Sequence, residues 1–227
     1  MNDFFAKETD GFFARHFDRK ISGTISRALL KTPVTPNQIT VTVTLLGIWA
    51  GYLMSLPGDL SKVGGSLLFL LTSILDGCDG EIARAKKMTS KLGGWLDLWG
   101  DNVVHVAVFY GLGVGLFRDT GNALYISLGQ AAVAGTLVSA GLASFQTWSK
   151  GKSSFTSVAG DIRAVAAAPA WKRRLIQMSD ALARRDFVYA VVILAFFHLL
   201  SWFLWATAIG SLVYAAVLGV LCLCTRP

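Results

Sequence analysis

The sequence predicts an all-α integral membrane fold: six transmembrane helices preceded by an amphipathic surface helix, with both termini in the cytosol. Three observations lead there. Hydrophobic residues make up 53% of the 227-residue chain and charged residues only 15%, where a soluble domain carries about 25% charged. The apolar residues gather in runs close to the roughly 20 residues that cross a bilayer. The cations also fall on one side of the layout those runs define.

Residues 1–31 are read as the amphipathic juxtamembrane helix, and 32–227 as one six-helix membrane domain. Phe13, Phe17, Ile21 and Ile25 recur every fourth residue among Arg15, Arg19, Lys20 and Arg27. That pattern puts an apolar stripe opposite a basic face, suited to anionic headgroups. This stretch has no continuous apolar core of the signal-peptide kind, so the first span is expected to act as its own insertion signal. Pro33 and Pro36 stop the surface helix, and Pro36 opens the first span, Pro36–Leu56. The second apolar run goes from Gly64 to Leu75 and continues into an acidic stretch. The third span covers Gly93–Phe117, the fourth Ala123–Trp148, and a polar segment fills 149–185. The last two are placed at Phe187–Trp205 and Ala206–Cys224, with little in the sequence to divide them.

With the N-terminus inside, all of the 21 lysines and arginines except Lys62 and Arg118 fall on the cytosolic side. The formal charge of +7 is therefore a topology signal and a headgroup-facing surface, and it excludes nucleic acid as the partner. It also sets the expected location: the cytoplasmic membrane, with the acidic stretch opening to the cytosol. A phosphate-loop reading of Gly151-Lys152-Ser153 fails, because the position that needs the first glycine holds Gln146. Cys78, Cys222 and Cys224 show no ligand spacing and read as small packing residues, and the scattered His16, His105 and His198 read likewise. Gly47 and Gly51, and Gly111 and Gly115, have the four-residue spacing of closely packed membrane helices.

The chemistry lies in Asp76–Asp101, DGCDGEIARAKKMTSKLGGWLDLWGD. Asp76, Asp79, Gly80 and Ala83 share one helix face, and Gly93, Asp97 and Asp101 share one face of the next helix. The short basic link from Arg84 to Leu92 makes the two helices antiparallel neighbours, with Asp76 level with Asp101 and Asp79 with Asp97. Carboxylates this close need a cation; hard oxygen donors with no His or Cys favour Mg2+, Mn2+ or Ca2+ over zinc, and Mg2+ (or Mn2+) is the expected cofactor because carboxylate-bound Mg2+ usually also binds substrate phosphates. Glycines at 77, 80, 93 and 94 leave backbone bare for a bulky ligand, and Arg84 stands where it can pair with a phosphate. Together these features fit phosphoryl transfer at a membrane surface. The alternative reading is an intramembrane divalent-cation transporter or binding protein. It is disfavoured because the acids crowd one end of the spans, while a transporter needs access from both.

This pattern is the D-x2-D-G-x2-A-R-x8-G-x3-D-x3-D signature, complete at every fixed position, so the chain resembles the CDP-alcohol phosphotransferases (CDP-alcohol phosphatidyltransferases), class I. The resemblance implies that Asp76, Asp79, Asp97 and Asp101 hold the metal, and that Asp101 also takes the proton from an acceptor hydroxyl. The residues alone leave Asp97 and Asp101 equally eligible as base, and one ion or two equally open. The CDP end of the donor is implied to lie against Gly77, Gly80, Ala83, Arg84, Ser90 and Gly93 and the Thr35-Pro36-Asn37-Gln38 corner. The oxygen of an alcohol or phospho-alcohol acceptor then attacks the phosphate next to the donor's alcohol, and CMP leaves. The donor is a lipid or polyol CDP-alcohol; membrane lipids are partners, and the resemblance allows a homodimer. The run from Thr9 to Ser22 is similar to the inositol-phosphate-joining branch (di-myo-inositol phosphate phosphate synthase-like), which implies phospholipid or inositol-phosphate metabolism. Lys150, Lys152, Arg163 and Arg174 are the cations expected to bind an acceptor phosphate.

Overall fold

The structure is a computed structural model that describes residues 19–149, 169–182 and 186–223. All the regular structure among these residues is helical: α1 (Arg19–Leu29), α2 (Pro36–Ser55), α3 (Asp59–Ala85), α4 (Lys91–Thr120), α5 (Leu124–Ser149), α6 (Ala170–Leu182), α7 (Phe187–Phe196) and α8 (Leu200–Leu223). Among them α2, α3, α4, α5 and α8 are long and apolar enough to cross a membrane.

Local chemistry sets the boundaries of these helices. Thr35 and Gln38 form a reciprocal capping box at the start of α2, with Pro36 in the first turn. Ser90 caps α4 by accepting the Gly93 N–H at 3.0 Å. Between them, α3 ends with Lys87 in the left-handed region (φ 56°) and the Met88 N–H returning to the Ala83 carbonyl at 2.8 Å. That arrangement is a Schellman-type stop without glycine. At the other end of the hairpin Gly121 (φ 72°) closes α4.

The sequence reading of 187–224 needs correction. The helix breaks at 197–199, not between Trp205 and Ala206: His198 is left-handed (φ 58°) and the Leu199 N–H returns to the Leu194 carbonyl at 2.8 Å. At about 1.5 Å per residue α7 is roughly 15 Å long, half a hydrocarbon thickness. Neither Gly nor Pro marks the break, so composition could not reveal it. A second departure is α6, an amphipathic helix inside the segment read as polar; it seats Ile176 against Val217 and Leu221 of α8. Of the surface-helix reading, Phe13 and Phe17 lie outside the described residues. Within α1, Ile21 is exposed, while Ser22 and Ser26 are the buried face.

α2 packs between α3 and α4, α5 joins α4 to α8, and α7 leans on α3. The main core runs from Ala50, Met54 and Phe69 through Val108 and Leu112 to Val191 and Leu204. The small-residue spacing has the expected use. A Cβ on Gly111 would stand 2.1 Å from the Gly51 carbonyl oxygen, and one on Gly115 would stand 2.0 Å from that of Met54. The α2–α4 contact is therefore backbone against backbone. It holds α4 at a fixed depth beside α2, and with it the aspartates near its start.

Candidate active site

A second, smaller core of Ile39, Val43, Cys78 and Ile82 joins the first half of α2 to the signature-bearing end of α3. Against it, Asp76, Asp79 and Asp97 come together: each offers a carboxylate oxygen, and these oxygens lie within 4.8 Å of one another. Asp76 and Asp79 are buried and Asp97 is half-buried. Like charges gathered at this spacing repel unless positive charge sits among them. Three hard oxygen donors at one point are a donor set that Mg2+ or Mn2+ fits. Asp101 is also half-buried on α4, one helical turn (about 6 Å along the axis) beyond Asp97 and outside this group of three.

Asp79 is held on both oxygens: the Thr40 hydroxyl on α2 donates to Oδ2, and the Gly80 N–H donates to Oδ1. Thr40 is buried and faces α3 because it follows Pro36 by one turn on the packed side of α2. Little in the sequence marks this role, since a threonine in an apolar helix ordinarily bonds its own backbone; Thr40 does so as well, to the Pro36 carbonyl at 3.2 Å.

The residues assigned to the CDP end fall into two groups. Thr35 and Gln38 are bonded to each other as the cap of α2, and Ser90 caps α4. Asn37 joins these two helix starts, because a Cβ on Gly93 would stand 3.2 Å from Asn37 Oδ1. The mouth is thus framed by two helix N-termini, whose amides and dipoles favour anions. Gly80 lies beneath Arg84, with its notional Cβ 3.3 Å from the guanidinium, so that arginine folds back over the aspartate turn. Ala83 is half-buried one residue earlier. Gly77 instead faces α1, where its notional Cβ would meet Ser22 at 3.7 Å.

Of the cations assigned to an acceptor, Arg174 is exposed on α6, and Lys150, Lys152 and Arg163 lie outside the described residues. Lys86 was not singled out in the sequence. Its ammonium bridges the Thr32 and Val34 carbonyls at 2.8 Å each, which pins the α1–α2 linker to the end of α3.

The chain is similar in sequence and fold to known proteins. The model of the CDP-alcohol phosphatidyltransferase family matches residues 33–213. A bifunctional IPC transferase and DIPP synthase of Thermococcus kodakarensis is 51% identical over 90 residues, 39% of this chain and 19% of that longer protein. Two crystal structures of Mycobacterium tuberculosis phosphatidylinositol phosphate synthase share the fold at 17% identity. The one in complex with manganese and citrate has a TM-score of 0.59 and covers 91% of this chain and 90% of its own. The one with CDP-DAG bound has a TM-score of 0.60 and covers 92% and 96%. With the family match spanning most of its length, the chain belongs to the CDP-alcohol phosphatidyltransferase family.

Proposed function

We propose that the protein transfers a phospho-alcohol group from a CDP-alcohol to the hydroxyl of an acceptor, releasing CMP, with an inositol phosphate as the acceptor class. The convergence of Asp76, Asp79 and Asp97 within 4.8 Å carries the reading. These residues would hold Mg2+ or Mn2+, which when bound neutralises charge on the donor's pyrophosphate. Arg84 and the capped starts of α2 and α4 orient the same phosphates. Asp101, a turn away from the triad, takes the proton of the acceptor hydroxyl as its oxygen attacks the phosphate next to the donor's alcohol. The phosphoanhydride bond to CMP breaks, and CMP carries away the charge.

The acceptor class rests on kinship. The structural neighbour from Mycobacterium is named a phosphatidylinositol phosphate synthase, and a relative from Pyrococcus horikoshii, 30% identical over 91 residues, an archaetidylinositol phosphate synthase. CDP-DAG in the neighbour supports a CDP-alcohol donor here. The proposed topology has six membrane-crossing segments, α7 with its flanks being the sixth, and places both termini and the aspartates on the cytosolic face of the cytoplasmic membrane. The lysine and arginine distribution supports this arrangement.

The test is CMP release by the purified protein with Mg2+ and a panel of CDP-alcohols and acceptors. Asp101→Asn is expected to lower the rate by about 10^3 or more, within the range of general-base catalysis. CMP release that survives this substitution unchanged would sink the assignment of the base. A panel on which inositol phosphates are no better than other alcohols would sink the acceptor class.

A further inference from the structure

Glu81 stands inside the signature at a position the signature leaves free, and the mechanism above does not use it. It is 2% exposed. Both of its oxygens accept from α1: Ser22 Oγ donates to Oε1 at 3.0 Å and Ser26 Oγ donates to Oε2 at 2.6 Å. The two serines are a turn apart on one face of α1, each 1% exposed. Beside them Cys78 Sγ lies 3.6 Å from the Ser22 carbonyl. α1 therefore lies along Gly77–Glu81, the same turns of α3 that carry Asp76 and Asp79.

At 100° per residue, Glu81 lies about 140–160° around α3 from both aspartates. One side of the helix presents the metal carboxylates and the other is clasped by α1. A buried carboxylate is costly unless its oxygens are satisfied, so it favours the one arrangement that satisfies it. A one-residue slip of α1 would offer Ile21 and Ile25, or Gly23 and Arg27, in place of the hydroxyls. A leucine at 81 would bury as well and would tolerate either slip.

We infer that Glu81 is a positioning residue: through Ser22 and Ser26 it locks α1 onto α3 and fixes the rotation of α3 that turns Asp76 and Asp79 toward Asp97. The inference rests on the reading of those three aspartates as a metal cradle. The Lys86 bridge to the Thr32 and Val34 carbonyls holds the other end of the same clasp.

Two readouts on the full chain in lipid nanodiscs test it. Mn2+ binding is followed through the free-ion EPR signal, and Cys78 alkylation by a maleimide is followed through the mass of its peptide. Glu81→Leu and the Ser22→Ala/Ser26→Ala double variant are each expected to weaken Mn2+ binding about tenfold and to speed Cys78 alkylation at least tenfold. Glu81→Gln, which still accepts from one serine and can donate to the other, should stay within about threefold of wild type in both. Should Glu81→Leu fail to fold, the double serine variant, which leaves the apolar core intact, carries the test. Leu204→Ala, in the core away from the site, is the control for general loosening. Unchanged Mn2+ affinity in the folded variants overturns the inference, as does an equal loss in Leu204→Ala. Wild-type protein that binds no Mn2+ overturns the cradle itself, and this inference with it.

Discussion

The α3–α4 hairpin carries acids at both ends, and the two ends handle them in opposite ways. At the end formed by the start of α3 and the close of α4, Asp119 meets Lys62, whose side chain is 3% exposed. Asp119 also accepts the Gly58 N–H at 2.9 Å, and Arg118 donates to the Ser55 carbonyl at 2.8 Å. One charge answers another, the Gly58 N–H and the Ser55 and Gly58 carbonyls find side-chain partners, and the close approach of Gly115 to the Met54 carbonyl seals the packing beneath. At the signature end three carboxylates converge on one point, framed by hydroxyls, amides and helix starts. A matched pair is a staple, and in the proposed reading the group of like charges is a receptor for a cation. The same residue type, a short acid at the edge of a membrane helix, would then serve stability at one end and chemistry at the other.

The comparison breaks first at Asp79. Asparagine keeps the shape and can still accept from Thr40, but it removes one of the three charges. Asp79→Asn is expected to lower CMP release by about 10^3 or more, on the scale of a lost electrostatic stabiliser. The thermal midpoint without metal should hold or rise, because repulsion among the carboxylates is relieved. A rate within tenfold of wild type would show that Asp79 belongs to the packing and not to the receptor.

Lys62→Met should fail the other way. It strands Asp119 beside the turn and leaves the Gly58 carbonyl without its lysine donor. A broken, mostly buried pair costs about 2–3 kcal/mol here, toward the low end for such sites because Asp119 is 26% exposed. The fall should appear as a lower unfolding midpoint in detergent, with the rate per folded molecule and Mn2+ affinity both unchanged. Recovery of that midpoint in Lys62→Met/Asp119→Leu would confirm the staple; a changed Mn2+ affinity would mean that the two ends are coupled.

How legible this was depends on how each feature is encoded. The bounds of α2 and α4 were readable to within a few residues because Pro36, Ser90 and Gly121 punctuate them. The break at His198 was not, because it falls in an apolar run with no residue that demands the left-handed region. The aspartates were readable as a group because their spacing puts each set on one face of its helix and a short link brings the two helix ends together, although α2 lies between α3 and α4 where direct neighbours were expected. The grouping itself differs from the symmetric pairing expected from folding the hairpin at its middle: Asp76, Asp79 and Asp97 meet, and Asp101 stands a turn beyond. The partners that hold the carboxylates were hidden for a different reason. Thr40, Ser22 and Ser26 are small polar residues in helices, and nothing about such residues in one dimension tells a self-bonded hydroxyl from one that bonds a neighbouring helix. In α1 the apolar stripe suggested the bilayer, while the face that docks on α3 joins Ser22 and Ser26 to Ile25 and Leu29 and leaves Ile21 exposed.

The smallest expected effect is also the sharpest probe of the signature end. Thr40→Val keeps the shape and β-branching, so α2 keeps its packing, and what is lost is the hydroxyl that donates to Asp79 Oδ2 and to the Pro36 carbonyl. A hydrogen bond to a charged group contributes about 1.5–3 kcal/mol, and its loss is softened where the freed oxygen gains another positive partner. If Asp79 is part of a cation receptor, metal supplies that partner in the bound state but not in the free one. The variant should then be destabilised by about 1 kcal/mol or more without metal and by less at saturating Mg2+, with CMP release reduced about threefold to tenfold. Measuring the midpoint with and without Mg2+ decides the matter. A penalty equal under both conditions would mean that the Thr40 hydroxyl holds a structural carboxylate, as the Lys62 ammonium does at the far end.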